Sequence, residues 1–471
     1  MADSISRQVA HWAASLTYDD LPPAVVDKVK ALLLHGLTGA AIGTQTAKGQ
    51  HVVHLMLDEE PKTDGATIFA SGTKATRNGA TFANAEIMHA SDLLDSYRML
   101  THPGPILIPA ALSNAELEGR SGRDVIVALA AGYEFLFRIC DDFIPSTAAR
   151  GFRPSPIYGT MGAALVAGML MGHDEDRMVA AISLAAHCTS GLFSGGGLYG
   201  GGGERSIHEP NAARQGVFAA LMARDGSIRG SDFALEGPSG FYNAFTGDGE
   251  GNLTYSFDGR KRADFAAVTE DLGTTYRLLT AMFRMYPCPG YNQPVIDLIL
   301  ELMEQHSLQS DDIEVLDISM NYIETLYPSP AFPDHNPYVP AVGQTHYFAA
   351  HAAVNGGVPV VGGRTFGPTG ADLRSDKRVL AFMRERVKVV PVWGQAMFSP
   401  SIVIRSRAGA TVGGTYPYAR MEWDFAQLEE RLQDCLPGYP GGKPAFDRLV
   451  QAVRGADTWT SMASVHEVIA G

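Results

Sequence analysis

Apolar residues recur at helical spacing through most of the first half of the chain. Ser121 stands where a helix N-cap is expected, and Gly226 stands where a helix should stop. Several of these segments are rich in Ala and Gly and are apolar nearly all round, which is typical of helices buried in a large bundle. The pattern predicts helices over residues 22–43, 76–90, 122–140, 158–171, 177–186 and 211–224.

The pattern changes near Gly251. Alternating apolar and polar positions predict strands over residues 313–320, 387–392, 401–406 and 411–415. Helices are expected around these strands, at residues 293–304, 345–355 and 376–385, and the chain returns to helix at residues 425–435 and 444–453. We interpret the strand-bearing part as an α+β unit with antiparallel strands.

The sequence therefore predicts a mainly α protein with an α+β insertion. Its length of 471 residues exceeds the roughly 100–200 residues of one domain, so two packed units are expected. We expect an all-helical domain of residues 1–269 and 406–471 and an α+β lid domain of residues 270–405. The glycine-rich residues 194–203 lack the strand and the GK[ST] ending of a phosphate loop, and we interpret them as a flexible loop.

Charge and cysteine content narrow the function classes. The formal net charge is -14, so neither nucleic acid nor an anionic membrane is an expected partner. The four cysteines are scattered without a CxxC pair, which argues against a disulfide framework, a zinc knuckle and an iron–sulfur cluster and suits a cytoplasmic location. The first residues do not match a signal peptide, and no apolar run is long enough to span a membrane.

Residues 89–102 are the first candidate for chemistry. Asp92, Ser96 and His102 are expected to converge where a helix gives way to a loop, and a carboxylate that orients an imidazole is a standard acid–base pair. Two alternatives stay open from spacing alone. One is a metal site formed by His89, Asp92 and Asp95, and the other is a capped helix end with solvated charges.

Three further segments carry basic residues where helices or units begin. Arg153 lies in a proline-rich turn just before a predicted helix that contains Tyr158. Arg205 and His208 follow the glycine-rich segment, and Arg284 stands where the insertion begins. Each alone is typical of a solvated charge at a helix end. Together, the three arginines offer bidentate carboxylate contacts in an acidic protein.

Taken in order, these segments resemble the MmgE/PrpD family over nearly the whole chain. That family includes 2-methylcitrate dehydratase, cis-aconitate decarboxylase and iminodisuccinate epimerase. The resemblance implies a helical domain with an inserted α+β lid, no metal or organic cofactor, and a homodimer. The matching positions are Asn84, Ala85, residues 89–92, His102, Pro103, Glu116, Gly119, residues 121–123, residues 132–134, Gly159, Gly162, residues 211–213, residues 235–237, Tyr286 and Pro287.

The resemblance also assigns roles to single residues. Asp92, Ser96 and His102 match the acidic, hydroxyl and first histidine positions of the family, although threonine is usual where Ser96 stands. The family's second histidine falls on Arg153 and two of its lysines fall on Arg205 and Arg284. His208 and Tyr347 match a retained histidine and a late lid tyrosine. Arginine keeps the anion-binding role of these positions, but it is a poor general base because its pKa exceeds about 12.

We therefore expect a lyase that removes a proton next to a carboxylate of a small di- or tricarboxylic acid, most similar to the hydro-lyase 2-methylcitrate dehydratase. The alternatives are an epimerase or isomerase, a decarboxylase, and a non-catalytic protein that binds a small carboxylate. The residues expected to be catalytic are Asp92, His102, His208 and Tyr347. Those expected to bind the substrate are Ser96, Arg153, Tyr158, Arg205 and Arg284.

Overall fold

The computed structural model describes residues 4–69, 71–193, 205–326, 336, 338–357 and 376–470. The glycine-rich segment 194–203 lies outside these residues, as do the side chains of Arg205, Ser206, Ser464 and Ala470. The chain divides into two compact units. We call them the helical unit and the α+β unit.

The helical unit comprises Met1–Tyr255, Lys261–Phe283 and Asp424–Gly471. Up to Phe283 it contains α1 (Ile5–Ser15), α2 (Pro23–Gly43), α3 (Ala47–Glu59), β1 (Pro61–Thr67), β2 (Lys74–Ala75), α4 (Arg77–Ala90), β3 (Asp95–Ser96), α5 (Gly104–Glu118), α6 (Gly122–Cys140), α7 (Ile144–Ala149), α8 (Pro154–Leu170), α9 (Glu175–Cys188), α10 (Arg205–Ala223), α11 (Phe241–Thr246) and β4 (Met282–Phe283).

The α+β unit comprises Ser256–Arg260 and Arg284–Trp423. It contains α12 (Gln293–Gln305), β5 (Ile313–Asn321), α13 (Tyr322–Thr325), α14 (Thr345–Asn355), α15 (Lys377–Arg386), β6 (Val387–Val392), β7 (Ser401–Ser406) and β8 (Thr411–Thr415). The chain then returns to the helical unit with α16 (Phe425–Leu432), α17 (Gly442–Arg454) and α18 (Ala463–Ala470). This architecture confirms the predicted fold class.

Local signals place several helix ends where the sequence predicted them. The Ser121 hydroxyl accepts a hydrogen bond from the Asp124 N–H, and the Asp124 carboxylate accepts one from the Ser121 N–H, so α6 begins with a capping box. Gly226 has a φ of 75°, and its N–H donates to the Ala223 carbonyl at the end of α10. These contacts are local in sequence, which is why the pattern could reveal them.

Two glycines, which carry no side chain, lie where three buried helices approach closely. A Cβ on Gly132 of α6 would lie 2.3 Å from Val166 Cγ2 of α8, and one on Gly159 of α8 would lie 2.3 Å from Ile106 Cδ1 of α5. Both distances are shorter than a carbon–carbon contact allows, so a side chain at either glycine would require Val166 or Ile106 to move. The start of α8 is thereby held next to the start of α5.

A buried ion pair on α6 contacts residues 268–278, which follow α11. Glu134 and Arg138 are almost fully buried, and Arg138 Nε lies 2.6 Å from Glu134 Oε1. The second carboxylate oxygen accepts from the Leu278 N–H at 2.9 Å. Arg138 also donates to the carbonyls of Val268 and Thr275. The pair therefore fixes the segment leading to β4, which pairs with β3.

The sheet of the α+β unit corrects one expectation. Its strand order is β6-β5-β7-β8, and β5 pairs with β7 and β7 with β8 in antiparallel fashion, but β5 and β6 are parallel. The expectation of antiparallel strands is therefore wrong for this pair. The chain between β5 and β6 carries α13, α14 and α15, which supply the long crossover that a parallel pair requires.

The borders of the two units also lie later than the expected residues 270 and 405. The α+β unit extends to Trp423 because β8 pairs with β7 from Ser401↔Thr415 to Arg405↔Thr411, and a border at residue 405 would divide this hairpin. The pattern also did not predict α3. Only Gly49, Val52 and Met56 of that helix are buried, so its apolar stripe is weak. Across the described parts of the chain, no helix is both long and apolar enough to traverse a bilayer.

A buried carboxyl in the α+β unit should make stability depend on pH. Glu324 is 1% exposed; burial raises its pKa to about 8, although the Phe398 N–H donates to Oε1 at 2.6 Å and opposes the rise. A carboxyl that holds its proton more tightly in the folded state loses folding stability as pH rises from its ordinary pKa toward 8. We expect Glu324→Gln to remove a loss on the order of 3 kcal/mol across this window.

The measurement is the free energy of unfolding in urea at several pH values between 5 and 9. The matched control is Glu304→Gln, an exposed glutamate on α12 of the same unit, which should leave the pH dependence as in the unsubstituted protein. Equal slopes for the unsubstituted protein and Glu324→Gln would contradict the assignment.

Candidate active site

The segment between α4 and α5 is held in an unusual backbone conformation. Three of its non-glycine residues have positive φ: Asp92 at 59°, Arg98 at 47° and Leu100 at 68°. Residues other than glycine enter this region at an energetic cost and persist there when the surroundings determine the conformation. Such strain often accompanies functional sites, so residues 91–103, called here the site loop, are the first place to search for chemistry.

Asp95 anchors the site loop. Its side chain is buried, with Oδ1 accepting from the Gly104 N–H at 2.8 Å and Oδ2 accepting from the Tyr133 hydroxyl at 2.7 Å. Burial raises the pKa of Tyr133 well above its ordinary value, and the neighbouring Asp95 charge raises it further, so the hydroxyl remains a donor. The Asp95 backbone pairs with Phe283 through the short β3–β4 ladder.

His102 is oriented by the loop backbone. Its Nδ1 lies 2.9 Å from the Asp95 carbonyl oxygen and 3.2 Å from Ser96 Oγ. A carbonyl only accepts, so we assign the proton of the neutral ring to Nδ1, which leaves the lone pair on Nε2. The His102 N–H donates to Ser155 Oγ at 2.9 Å, and that hydroxyl donates to the Leu100 carbonyl at 3.0 Å. The imidazole therefore has a defined tautomer and a fixed attachment to the first turn of α8.

Four buried side chains that carry or can carry a charge form a cluster, called here the charged cluster: Glu86, His89, Arg153 and Glu209. Arg153 Nε and Nη2 both donate to Glu209 Oε1, at 3.1 and 2.7 Å. His89 Nε2 lies 3.5 Å from Glu209 Oε2, and His89 Nδ1 lies 3.6 Å from Glu86 Oε2. Glu209 is fully buried and each of the other three is at most 7% exposed, so water screens these charges little.

The charged cluster also acts on His102. Burial by itself raises the pKa of the Glu209 carboxyl, but Arg153, His89 and His102 together outweigh it and hold the pKa below the ordinary range. Glu209 is therefore an anion, and the attraction between it and the His102 ring favours the protonated ring in return. Arg153 was expected to bind the substrate, and part of its charge is already balanced by Glu209.

The other predicted residues of the helical unit have different surroundings. His208 is buried beside Gly191, whose carbonyl accepts from the Arg153 N–H at 3.1 Å; a Cβ on Gly191 would lie 3.8 Å from His208 Cδ2. Asp92 is half-buried in the site loop. Arg205 begins α10, but its side chain lies outside the described residues.

Tyr158 is buried in the core of the helical unit. Its hydroxyl lies 2.7 Å from Thr147 Oγ1, its ring packs edge-on against Phe241, and its exposed fraction is zero. Burial raises the pKa of Tyr158 well above its ordinary value. These surroundings are those of a core tyrosine that connects α7 and α8, and its contact with a substrate remains a prediction.

Arg284 and Tyr347 belong to the α+β unit. Arg284 is 1% exposed and opens the main segment of that unit. Tyr347 lies on α14, 2% exposed, with its ring edge-on to Phe348 and to His351. Their convergence with His102 on one substrate remains a prediction.

The alternative of a metal site gains no support from the geometry. Within the described ranges, no three side chains of His, Cys, Asp or Glu are arranged to hold a metal ion. Both carboxylate oxygens of Asp95, one of the proposed ligands, already accept hydrogen bonds from Gly104 and Tyr133.

Glu86 and Glu209 were not among the predicted site residues. Both are acidic positions on helices whose neighbouring residues are mostly apolar or small, and both are nearly inaccessible to solvent. A carboxylate buried on such a helix is usually paired with a cation or a hydrogen-bond donor, because burying an unpaired charge is costly. That signal would have pointed to a buried charge, but not to which residue neutralises it.

Comparison with known proteins agrees with the resemblance seen in the sequence. The family model of the MmgE/PrpD N-terminal domain matches residues 7–253, more than half of the chain. The chain belongs to the MmgE/PrpD family. The match covers α4, the site loop, α8 and α10, and thus every member of the charged cluster.

Several similar proteins are named cis-aconitate decarboxylases. The one from Aspergillus terreus is 26% identical over 309 residues, covering 64% of this chain and 61% of that protein. The cis-aconitate decarboxylase-like protein oryM from Aspergillus oryzae is 24% identical over 312 residues, covering 64% and 62%. The cis-aconitate decarboxylase from Homo sapiens is 24% identical over 256 residues, covering 51% and 50%. The matched region therefore spans less than two thirds of each of these relatives.

The role assigned to Asp95 can be tested through Tyr133. We expect Tyr133→Phe to destabilise the protein by about 1–3 kcal/mol, because the buried Asp95 carboxylate loses a donor. The matched control is Tyr242→Phe, which also removes one buried hydroxyl, here donated to the Ile139 carbonyl at 2.9 Å. Hydrogen–deuterium exchange of residues 95–104 should accelerate in Tyr133→Phe alone. Equal exchange in the two variants would show that Asp95 does not anchor the site loop.

Proposed function

We propose that this protein is a lyase that acts on a small di- or tricarboxylic acid and transfers a proton at a carbon near a carboxylate. His102 is the proposed proton-transfer group. The observation that carries the proposal is the donation from Nδ1 to the Asp95 carbonyl, which leaves Nε2 to exchange a proton with a substrate. An imidazole is suited to this role because its unperturbed pKa of about 6.5 lies near neutrality.

Loss of carbon dioxide is the first candidate reaction, because the similar proteins described above are named cis-aconitate decarboxylases. In that reaction the bond from a carboxylate to its carbon breaks, and the electron pair moves into the carbon skeleton. The protonated His102 ring then delivers its Nε2 proton to the resulting carbanion. This variant needs imidazolium at the start of the chemical step.

Loss of water, as in 2-methylcitrate dehydratase, is the alternative that the sequence favoured. Neutral His102 Nε2 would take the proton next to a carboxylate, and an acid would protonate the leaving hydroxyl. His208 and Tyr347 remain candidates for that acid, and Asp92 for the carboxylate that assists His102. An epimerase would use the same first step and return the proton to the opposite face.

Substrate binding must overcome the charge of the protein. The net charge of -14 repels an anionic acid, so a local group of cations has to attract it. The family resemblance assigns carboxylate binding to Arg153, Arg205 and Arg284, and we propose that they share it. Ser96 is the proposed hydroxyl donor to the same substrate. A homodimer that works without a cofactor is part of the same proposal.

The test is proton NMR of the purified protein with cis-aconitate, 2-methylcitrate and related acids in deuterated buffer. Carbon dioxide release with one deuterium gained supports the decarboxylase, loss of water supports the dehydratase, and exchange without loss supports the epimerase. Binding of an acid without any conversion would favour the non-catalytic alternative and would reject the proposal of a lyase.

Replacing His102 should separate chemistry from binding. We expect His102→Asn to lower kcat by about a hundredfold or more, because the proton-transfer group is lost, while the dissociation constant of the substrate changes little. The matched control is His173→Asn, a buried histidine at the end of α8, which should retain kcat. A His102→Asn variant with normal turnover would leave the family assignment intact but reject the mechanism.

The pH dependence of kcat distinguishes the two lyase reactions. Decarboxylation uses the imidazolium, so its rate should fall as pH rises through the titration of His102. Dehydration uses the neutral ring, so its rate should fall as pH drops through the same titration. The slope of the kcat profile around neutrality, measured on the substrate that is turned over, decides between them.

A further inference from the structure

Glu209 is the only member of the charged cluster that contacts both of the other elements of that cluster. It lies on α10, contacts Arg153 just before α8 with two hydrogen bonds, and faces His89 of α4. Its exposed fraction is zero. Taking a carboxylate fully out of water costs several kcal/mol unless partners compensate, so this position is costly to keep.

Glu209 is connected to His102 through Arg153, by hydrogen bonds and by the backbone at the start of α8. Arg153 is the N-cap residue of α8, and its N–H donates to the Gly191 carbonyl. Two residues later, the Ser155 hydroxyl accepts the His102 N–H and donates to the Leu100 carbonyl. The guanidinium held by Glu209 therefore belongs to the turn that carries the backbone of His102.

Electrostatic attraction provides a second connection. Among the described residues, the groups that act on Glu209 include His89 from α4, Arg153 from the start of α8, and His102 from the site loop. Glu86 of α4 lies 3.6 Å from His89 and is the second carboxylate of the charged cluster. Two carboxylates stand against one permanent cation in this cluster. The Glu209 carboxylate is an anion, and its attraction for the His102 ring favours the protonated form of that ring.

We propose that Glu209 is a positioning residue for the reaction at His102, holding the Arg153 turn in place and supplying the negative charge that keeps a proton on the His102 ring. This inference rests on the proposed function for its kinetic part, because it assigns His102 to proton transfer. Its structural part, the coupling between Glu209 and the protonation of His102, stands without turnover.

The experiment compares the unsubstituted full-length protein with Glu209→Gln. Nuclear magnetic resonance of the histidine rings, assigned with His102→Asn, gives the pH at which His102 binds its proton. Removal of a nearby carboxylate should move this midpoint to lower pH by about one pH unit. The midpoint of the kcat profile should move by the same amount, while KM for the anionic substrate stays the same or falls.

Two further variants keep the test informative. Glu60→Gln removes a different glutamate paired with an arginine of α10, Arg214, at 2.7 Å, and should leave the His102 midpoint unchanged. Glu209→Asp keeps the charge but withdraws it from Arg153, so it should lower kcat and shift the midpoint by less than Glu209→Gln does. It also serves as the comparison if the buried glutamine prevents folding.

The possible results separate the two proposals. An unchanged His102 midpoint in a folded Glu209→Gln protein overturns the inference, whether or not the protein is a lyase. So does an Asp variant with both the midpoint and the kcat of the unsubstituted protein. A shifted midpoint in a protein that converts none of the acids supports the coupling and rejects the proposed function instead.

Discussion

The candidate site depends on the hydrogen bonds that the buried Asp95 carboxylate accepts. Its two oxygens hold the N–H at the start of α5 and the hydroxyl of Tyr133 on α6, so that the backbone between them cannot relax. The same residue offers its carbonyl to His102 Nδ1 and thereby selects the tautomer of the ring. One buried residue thus acts twice, its side chain holding the strained path of the site loop and its backbone carbonyl determining which ring nitrogen of His102 carries the proton.

Near the site loop, the ion pair of Arg153 and Glu209 is buried, so water screens its charges little. Arg153, which the family resemblance places at a histidine position, is neutralised in part by Glu209 rather than left to a substrate. The site for which we propose an anionic substrate thus contains an anion of its own beside a cation. This arrangement is consistent with the proposal that the Glu209 carboxylate acts mainly on the protonation of His102 rather than on ligand binding.

Much of this could be predicted from the sequence. The end of α4 at Ala90, the capping box at Ser121, the helix at Thr345–Asn355 and the four main strands follow from patterns within a few residues. The pairing of Arg153 with Glu209 could not be predicted, because it joins positions 56 residues apart whose separate surroundings look like ordinary helix ends. The parallel register of β5 and β6 and the burial of Tyr158 against Thr147 depend in the same way on how helices pack, which periodicity does not encode.

Gly132 and Gly159 restrict which substitutions the helical unit can accept during evolution. A side chain there would require Val166 or Ile106 to move and would strain the packing of α5, α6 and α8, the helices next to His102 and Ser155. Substitutions that keep the candidate site intact are therefore expected away from these helix interfaces. Arg153 is less tolerant of change than its place at the start of a helix suggests, because its replacement would leave the buried Glu209 carboxylate without the two hydrogen bonds that it accepts.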